Sequence, residues 1–197
     1  VLVPIACIIG FLLNLSLFLL ISKNKSKLKE NFYKFISINS FFNCLYCLLY
    51  IMDLMSECIL RDGIYCSYIY TNYYVQMFKI IFIVYIGNVI KICSNLTYIL
   101  MNVNRYMLIG KEHINFFNKL SAMKIRRLLF YIFWFSFLIS IVKLFQFRIN
   151  YFVETFDYPY LRSSENKENQ VILIIFLLIH DFFNFVLFLL IVFLTDI

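Results

Sequence analysis

The chain has 197 residues, of which 63% are hydrophobic and only 15% charged, and its mean hydropathy is +0.84. A water-soluble domain is about half apolar and roughly a quarter charged, so this composition belongs to the membrane class. With 4 Gly and 2 Pro against 24 Phe and 15 Tyr, collagen-like, low-complexity and disordered chains are excluded. The net charge of +7 sits in short gaps between apolar runs, which reads as a topology signal and excludes a nucleic-acid surface.

In chain order the hydropathy pattern predicts five membrane helices in one domain, an all-α multi-pass bundle. The first covers 1–21, and with no charged leading region and no small-residue cleavage site it reads as a span, not a signal peptide. A lysine-rich gap with Lys23, Lys25, Lys27, Lys29 and Lys34 leads to the second, 35–55. A loop with Cys58 and Cys66 precedes the third, 75–110. A second basic gap, from Lys111 to Arg127, precedes the fourth, 128–145. The segment from Gln146 to Gln170 mixes charges, contains Pro159, and is expected to be a loop before the fifth span, 171–194. Starting at Val1 and stopping beside an apolar run, the sequence reads as a piece truncated at both ends.

The first and third gaps are strongly basic, whereas the second and fourth balance basic with acidic residues. Basic loops stay in the cytoplasm, so the N-terminus is expected outside. Cys58 and Cys66 then lie on the oxidising side, where a local disulfide is allowed. Cys7, Cys44, Cys47 and Cys93 fall within apolar runs and read as buried small hydrophobes.

Chemistry-bearing motifs are sparse. The two histidines, His113 and His180, are far apart, and no HExxH, paired CxxC, GxSxG or phosphate-binding Gly loop occurs. No catalytic residue, metal ligand or cofactor is therefore expected. His180, Asp181 and Asn184 read as an inward polar face of the fifth span.

The third span is different. Asn88, Lys91, Asn95, Tyr98, Asn102 and Arg105 recur at steps of three or four, which lines them up on one helix face. Hydrocarbon offers no partners to amides and cations, so this face must meet protein, water or a ligand. Lys91 is the costliest residue, about 14 residues or roughly 21 Å from Arg105 and too deep for easy snorkelling. It requires a cavity, an acid or a ligand. Asp53 is a conceivable partner, and Lys79, nearer the interface, is expected to snorkel.

The stretch Ser94 to Lys111, SNLTYILMNVNRYMLIGK, resembles the cytoplasmic end of the third helix of rhodopsin-like (class A) G-protein-coupled receptors. Asn104-Arg105-Tyr106 stand where that family has an acid, Arg and Tyr, and Ile109 matches an apolar residue that follows. Asn14 matches the Asn of the first helix, Asn43 stands where the second helix usually has Asp, and Trp134 matches the tryptophan of the fourth. The resemblance covers the whole chain as helices one to five of seven. It departs at Asn104 and Asn43, which lack the usual charges, at the missing disulfide to the outer end of the third helix, and at a fifth span without proline.

What the resemblance implies is a plasma-membrane receptor whose extracellular ligand, peptide or chemosensory, enters between the helices and activates a heterotrimeric G protein. Asn88 and Lys91 would line the ligand cavity, and Asn14, Asn43 and Asn95 would form a polar network. Asn104, Arg105, Tyr106 and Ile109 would form the switch and the G-protein face. The partners would be ligand, G protein and lipid bilayer, with no nucleic acid. The alternatives are a transporter or channel subunit whose path follows the same polar line, and a non-signalling relict.

Overall fold

Long apolar runs with few helix breakers have little reason to interrupt, and most of this chain folds into continuous helices. The computed structural model describes residues 2–24, 26–28, 31–55, 72–109, 123–150, 160–163, 170–182, 184 and 189. Helices α1 (Leu2–Lys23) and α2 (Asn31–Met55) are unbroken. A third rod consists of α3 (Tyr73–Phe78), a π-helical stretch (Lys79–Ile86) and α4 (Gly87–Ile109). Helices α5 (Ile125–Ser140) and α6 (Val142–Gln146) form a fourth, and α7 (Gln170–Asp181) begins a fifth. Between α6 and α7, strands β1 (Phe147–Asn150) and β2 (Tyr160–Ser163) pair antiparallel, so the segment expected to be a loop contains a hairpin.

Four rods, Val3–Lys23, Asn31–Leu54, Tyr73–Arg105 and Ile125–Phe145, are long and apolar enough to cross a membrane. The chain is an all-α membrane bundle carrying one short hairpin. The second, third and fourth rods start two to four residues before their apolar runs, because helical hydrogen bonding continues into the interface, where Lys34, Arg126 and Arg127 are exposed. The predicted fifth span is described to Asp181 and at a few residues beyond; most of its remainder lies outside the described residues, as does the Cys58 and Cys66 loop.

Burial is inverted relative to a soluble protein. Leu12, Leu13, Leu19 and Leu20 on α1 and Phe130, Tyr131, Trp134 and Leu138 on α5 are exposed, whereas Ser40, Gln76, Thr97, Ser136, Ser140, His180 and Asn184 are buried. In lipid, burying apolar surface yields little, and helices associate through close packing of small side chains and internal hydrogen bonds. Trp134 belongs to an outward aromatic cluster with Phe130, Phe133 and Phe137.

The third rod is the hub. At 33 residues it is roughly 50 Å long, more than the hydrocarbon core requires. Its Tyr85, Val89 and Cys93 pack with Phe35 of α2 and Leu128 and Ile132 of α5. Thr97 and Ser136 return their hydroxyls to the carbonyls of Cys93 and Ile132 in their own helices, so they pack tightly without leaving a donor unmet. The fourth rod breaks where the Ile141 amide bonds to Leu138 O, one residue short of the α-helical pattern. That releases the Phe137 carbonyl, which the Tyr85 hydroxyl approaches at 3.5 Å.

Candidate functional site

Two polar systems flank α4. The first joins α1, α2 and α4. Asn43 Nδ2 donates to Asn14 Oδ1 at 3.3 Å, and Asn14 Nδ2 donates to the Gly10 carbonyl at 2.8 Å. Ser94 Oγ lies 2.6 Å from Asn43 Oδ1 and 2.8 Å from Asn39 Oδ1. A hydroxyl has one hydrogen, so Ser94 donates to one amide and accepts from the other. Asn43 already turns its NH2 to Asn14, which leaves its oxygen for Ser94. Asn39 therefore presents its NH2 to Ser94, the amide orientation that the same heavy-atom positions allow. The result is a one-way relay from Asn39 through Ser94, Asn43 and Asn14 to the α1 backbone. It is neutral throughout, and its hydrogen bonds are made within it.

The second system lies on the α5–α6–α7 side. Asn95 Nδ2 donates to the Asn184 carbonyl at 3.0 Å, so Asn95 stands apart from the relay formed by Asn14 and Asn43. Asn184 Nδ2 is 3.1 Å from His180 Nε2, and His180 Nδ1 is 3.1 Å from Asp181 Oδ1. The network assigns a neutral imidazole with the proton on Nδ1, donating to Asp181 while Nε2 accepts from Asn184. Lys143 Nζ of α6 is 3.8 Å from the same Asp181 oxygen. Lys91, half-buried on α4, lies within electrostatic reach of both Asp181 and Lys143.

This system is unlike the relay in two ways. Lys91 and Lys143 both lie near the Asp181 carboxylate, so this system is charged where the relay is neutral. It also holds a buried oxygen, Asn184 Oδ1, with no hydrogen-bond partner among the described residues. Buried polar atoms left unmet cost free energy, on the order of 1–3 kcal/mol each. His180 and Asn184 face inward at 1% and 2% exposure, whereas the Asp181 side chain is 54% exposed.

Asp53 does not pair with Lys91. Its carboxylate lies 2.9 Å from Lys79 Nζ, with the two side chains only 15% and 14% exposed. Lys79, expected to snorkel, is instead held in an interhelical ion pair, because the π-helical stretch starts at Lys79 and changes the helical register there. Asn88 sits where that stretch returns to α-helix and donates its amide to the Val84 carbonyl, so its NH2 is engaged within its own rod.

At the opposite end of α4, Arg105 is exposed, and among the described residues no acid pairs with it. Asn104 beside it is half-buried, and Asn102 one turn earlier is buried, its Nδ2 finding no hydrogen-bond partner among the described residues. The backbone of Tyr106 and Ile109 continues the helix, and their side chains lie outside the described residues. Among the described residues no group of three His, Cys, Asp or Glu side chains could hold a metal ion.

Sequence reasoning missed Asn39, Ser94, Lys143 and the Asp53–Lys79 pair. Asn39 had a usable signal, since it precedes Asn43 by one helical turn and shares its face. Lys143 had none, because only the break at Ile141 and the packing of α6 on α7 bring it to Asp181. Comparison with family models, with curated proteins and with solved structures finds no match to this chain.

Proposed function

We propose that the chain is the five-helix part of a plasma-membrane receptor of the rhodopsin-like type, which binds an extracellular ligand and activates a heterotrimeric G protein. The observation that supports this reading is that one rod bears both Lys91, within electrostatic reach of Asp181 and Lys143, and the exposed Arg105 near its far end, in a sequence that resembles the family's switch. In this reading the N-terminus and hairpin are extracellular and the Arg105 end is cytoplasmic. A ligand bearing an acidic group engages Lys91 and Lys143 and takes the place of Asp181 as their counter-charge. Displacing those contacts shifts α7 and α6 against the third rod, and Arg105 with Tyr106 and Ile109 is freed to meet the G protein. The Asn14–Asn43–Ser94 relay holds α1, α2 and α4 together while this happens.

The test is guanine-nucleotide exchange on a purified G protein by the full-length protein in nanodiscs, beside solute-flux measurements in liposomes. Ligand-dependent exchange without flux is expected. Flux without exchange would transfer the same polar line to the transporter or channel reading.

A further inference from the structure

The charged system beside α4 places both signs within the width of one small ligand. The Asp181 carboxylate lies 3.8 Å from Lys143 Nζ and accepts the His180 Nδ1 hydrogen at 3.1 Å. Lys91, on the neighbouring rod, is within electrostatic reach of both Asp181 and Lys143. The Asp181 side chain is 54% exposed, against 13% for Lys143, so the acid is the open member of the pair. An open carboxylate midway along the predicted fifth span cannot face hydrocarbon and must meet water, protein or a ligand. The Lys143–Asp181 pair is also longer than a close charge-assisted hydrogen bond, about 2.7–2.9 Å, so a bound group can come between the two charges without first breaking a short contact.

In the receptor reading an acidic group of the ligand replaces Asp181 beside the lysines. A ligand carrying that acid alone would bring a second anion against the Asp181 carboxylate, which the buried His180 ring holds in place. Juxtaposed like charges repel, whereas a cation on the same ligand would meet Asp181 and remove the repulsion. We propose that this site takes a zwitterion, an amino acid or another compound with an ammonium and a carboxylate a few bonds apart, its carboxylate on Lys143 and Lys91 and its ammonium on Asp181. His180 is the positioning residue, because its Nδ1 hydrogen aims the carboxylate that receives the ammonium. The proposal rests on the receptor reading for the location of the ligand site.

Its test uses no G protein. Thermal unfolding of the full-length protein in neutral phosphatidylcholine nanodiscs is followed with glycine, β-alanine and γ-aminobutyrate, each beside the plain carboxylate of equal chain length: acetate, propionate and butyrate. Binding to the folded state raises the midpoint. At least one amino acid is expected to act at a tenfold lower concentration than its matched carboxylate. Asp181→Asn keeps the shape and removes the charge, so it should erase that advantage while leaving the carboxylate equal or up to a few-fold stronger. Lys143→Met should weaken both members of the pair at least fivefold. Equal potency of amino acid and carboxylate in the wild-type protein, no shift with any probe, or an advantage that survives Asp181→Asn overturns the site. The wild-type comparison stands even where a variant fails to fold. Zwitterion binding that stimulates no nucleotide exchange upholds the site and sinks the receptor reading; exchange stimulated equally by the plain carboxylates does the opposite.

Discussion

The two polar systems beside α4 use similar residues to opposite ends. The Asn39–Ser94–Asn43–Asn14 relay is neutral, each hydrogen passes in one direction, and it ends on a backbone carbonyl. The cluster of Lys91, Lys143, His180, Asp181 and Asn184 is charged, and its buried Asn184 Oδ1 has no hydrogen-bond partner among the described residues. A neutral network whose members bond one another across three helices holds those helices in register. An open charged one is tolerated when something else completes it. The Asp53–Lys79 ion pair is intermediate, since it is charged yet already satisfied by its partner.

That contrast can be broken by substitution. The largest effect is expected at the half-buried interhelical ion pair, where Asp53→Ala removes the carboxylate 2.9 Å from Lys79 Nζ. Unfolding of the full-length protein in detergent should show a loss of about 3 kcal/mol, most of it recovered by adding Lys79→Met. A double variant as unstable as the single one would mean that Asp53 acts through some other contact. Next is Lys91→Ala, which should lower ligand potency about tenfold in the folded fraction of the protein. Unchanged potency would remove Lys91 from the ligand site.

Ser94→Ala should do the reverse. It leaves two half-buried amides without their shared hydroxyl and costs about 1 kcal/mol of stability, with ligand affinity of the folded fraction unaltered. A selective loss of affinity there would erase the distinction between the two systems. The smallest effect is expected at the far end of α4. Arg105 has no acid partner among the described residues, and Asn104→Asp would supply one at the half-buried position beside it, lowering basal nucleotide exchange about two- to fivefold. Unchanged basal exchange would mean that Arg105 is restrained by another group.

The sequence by itself determined the class, the four long spans and the polar face of α4, because those depend on local quantities. An apolar run about 20 residues long must become a helix in lipid, since its own backbone supplies the hydrogen bonds. A spacing of three or four then places side chains on one face. The Asn14–Asn43 contact was also legible, through the resemblance that set those two residues apart. What only the tertiary structure decided were pairings that depend on axial rotation and offset between helices. The π-helical stretch alters the rotation of the outer third rod, so Lys79 meets Asp53 while Lys91, on the α-helical side, turns toward Asp181 and Lys143. The break at Ile141 sends α6 across to α7 and starts the hairpin whose register opposes Arg148 to Arg162. Hydrophobic pattern is blind to both, because a one-residue change in helical bonding or strand register leaves the composition of each segment untouched while changing every partner its side chains meet.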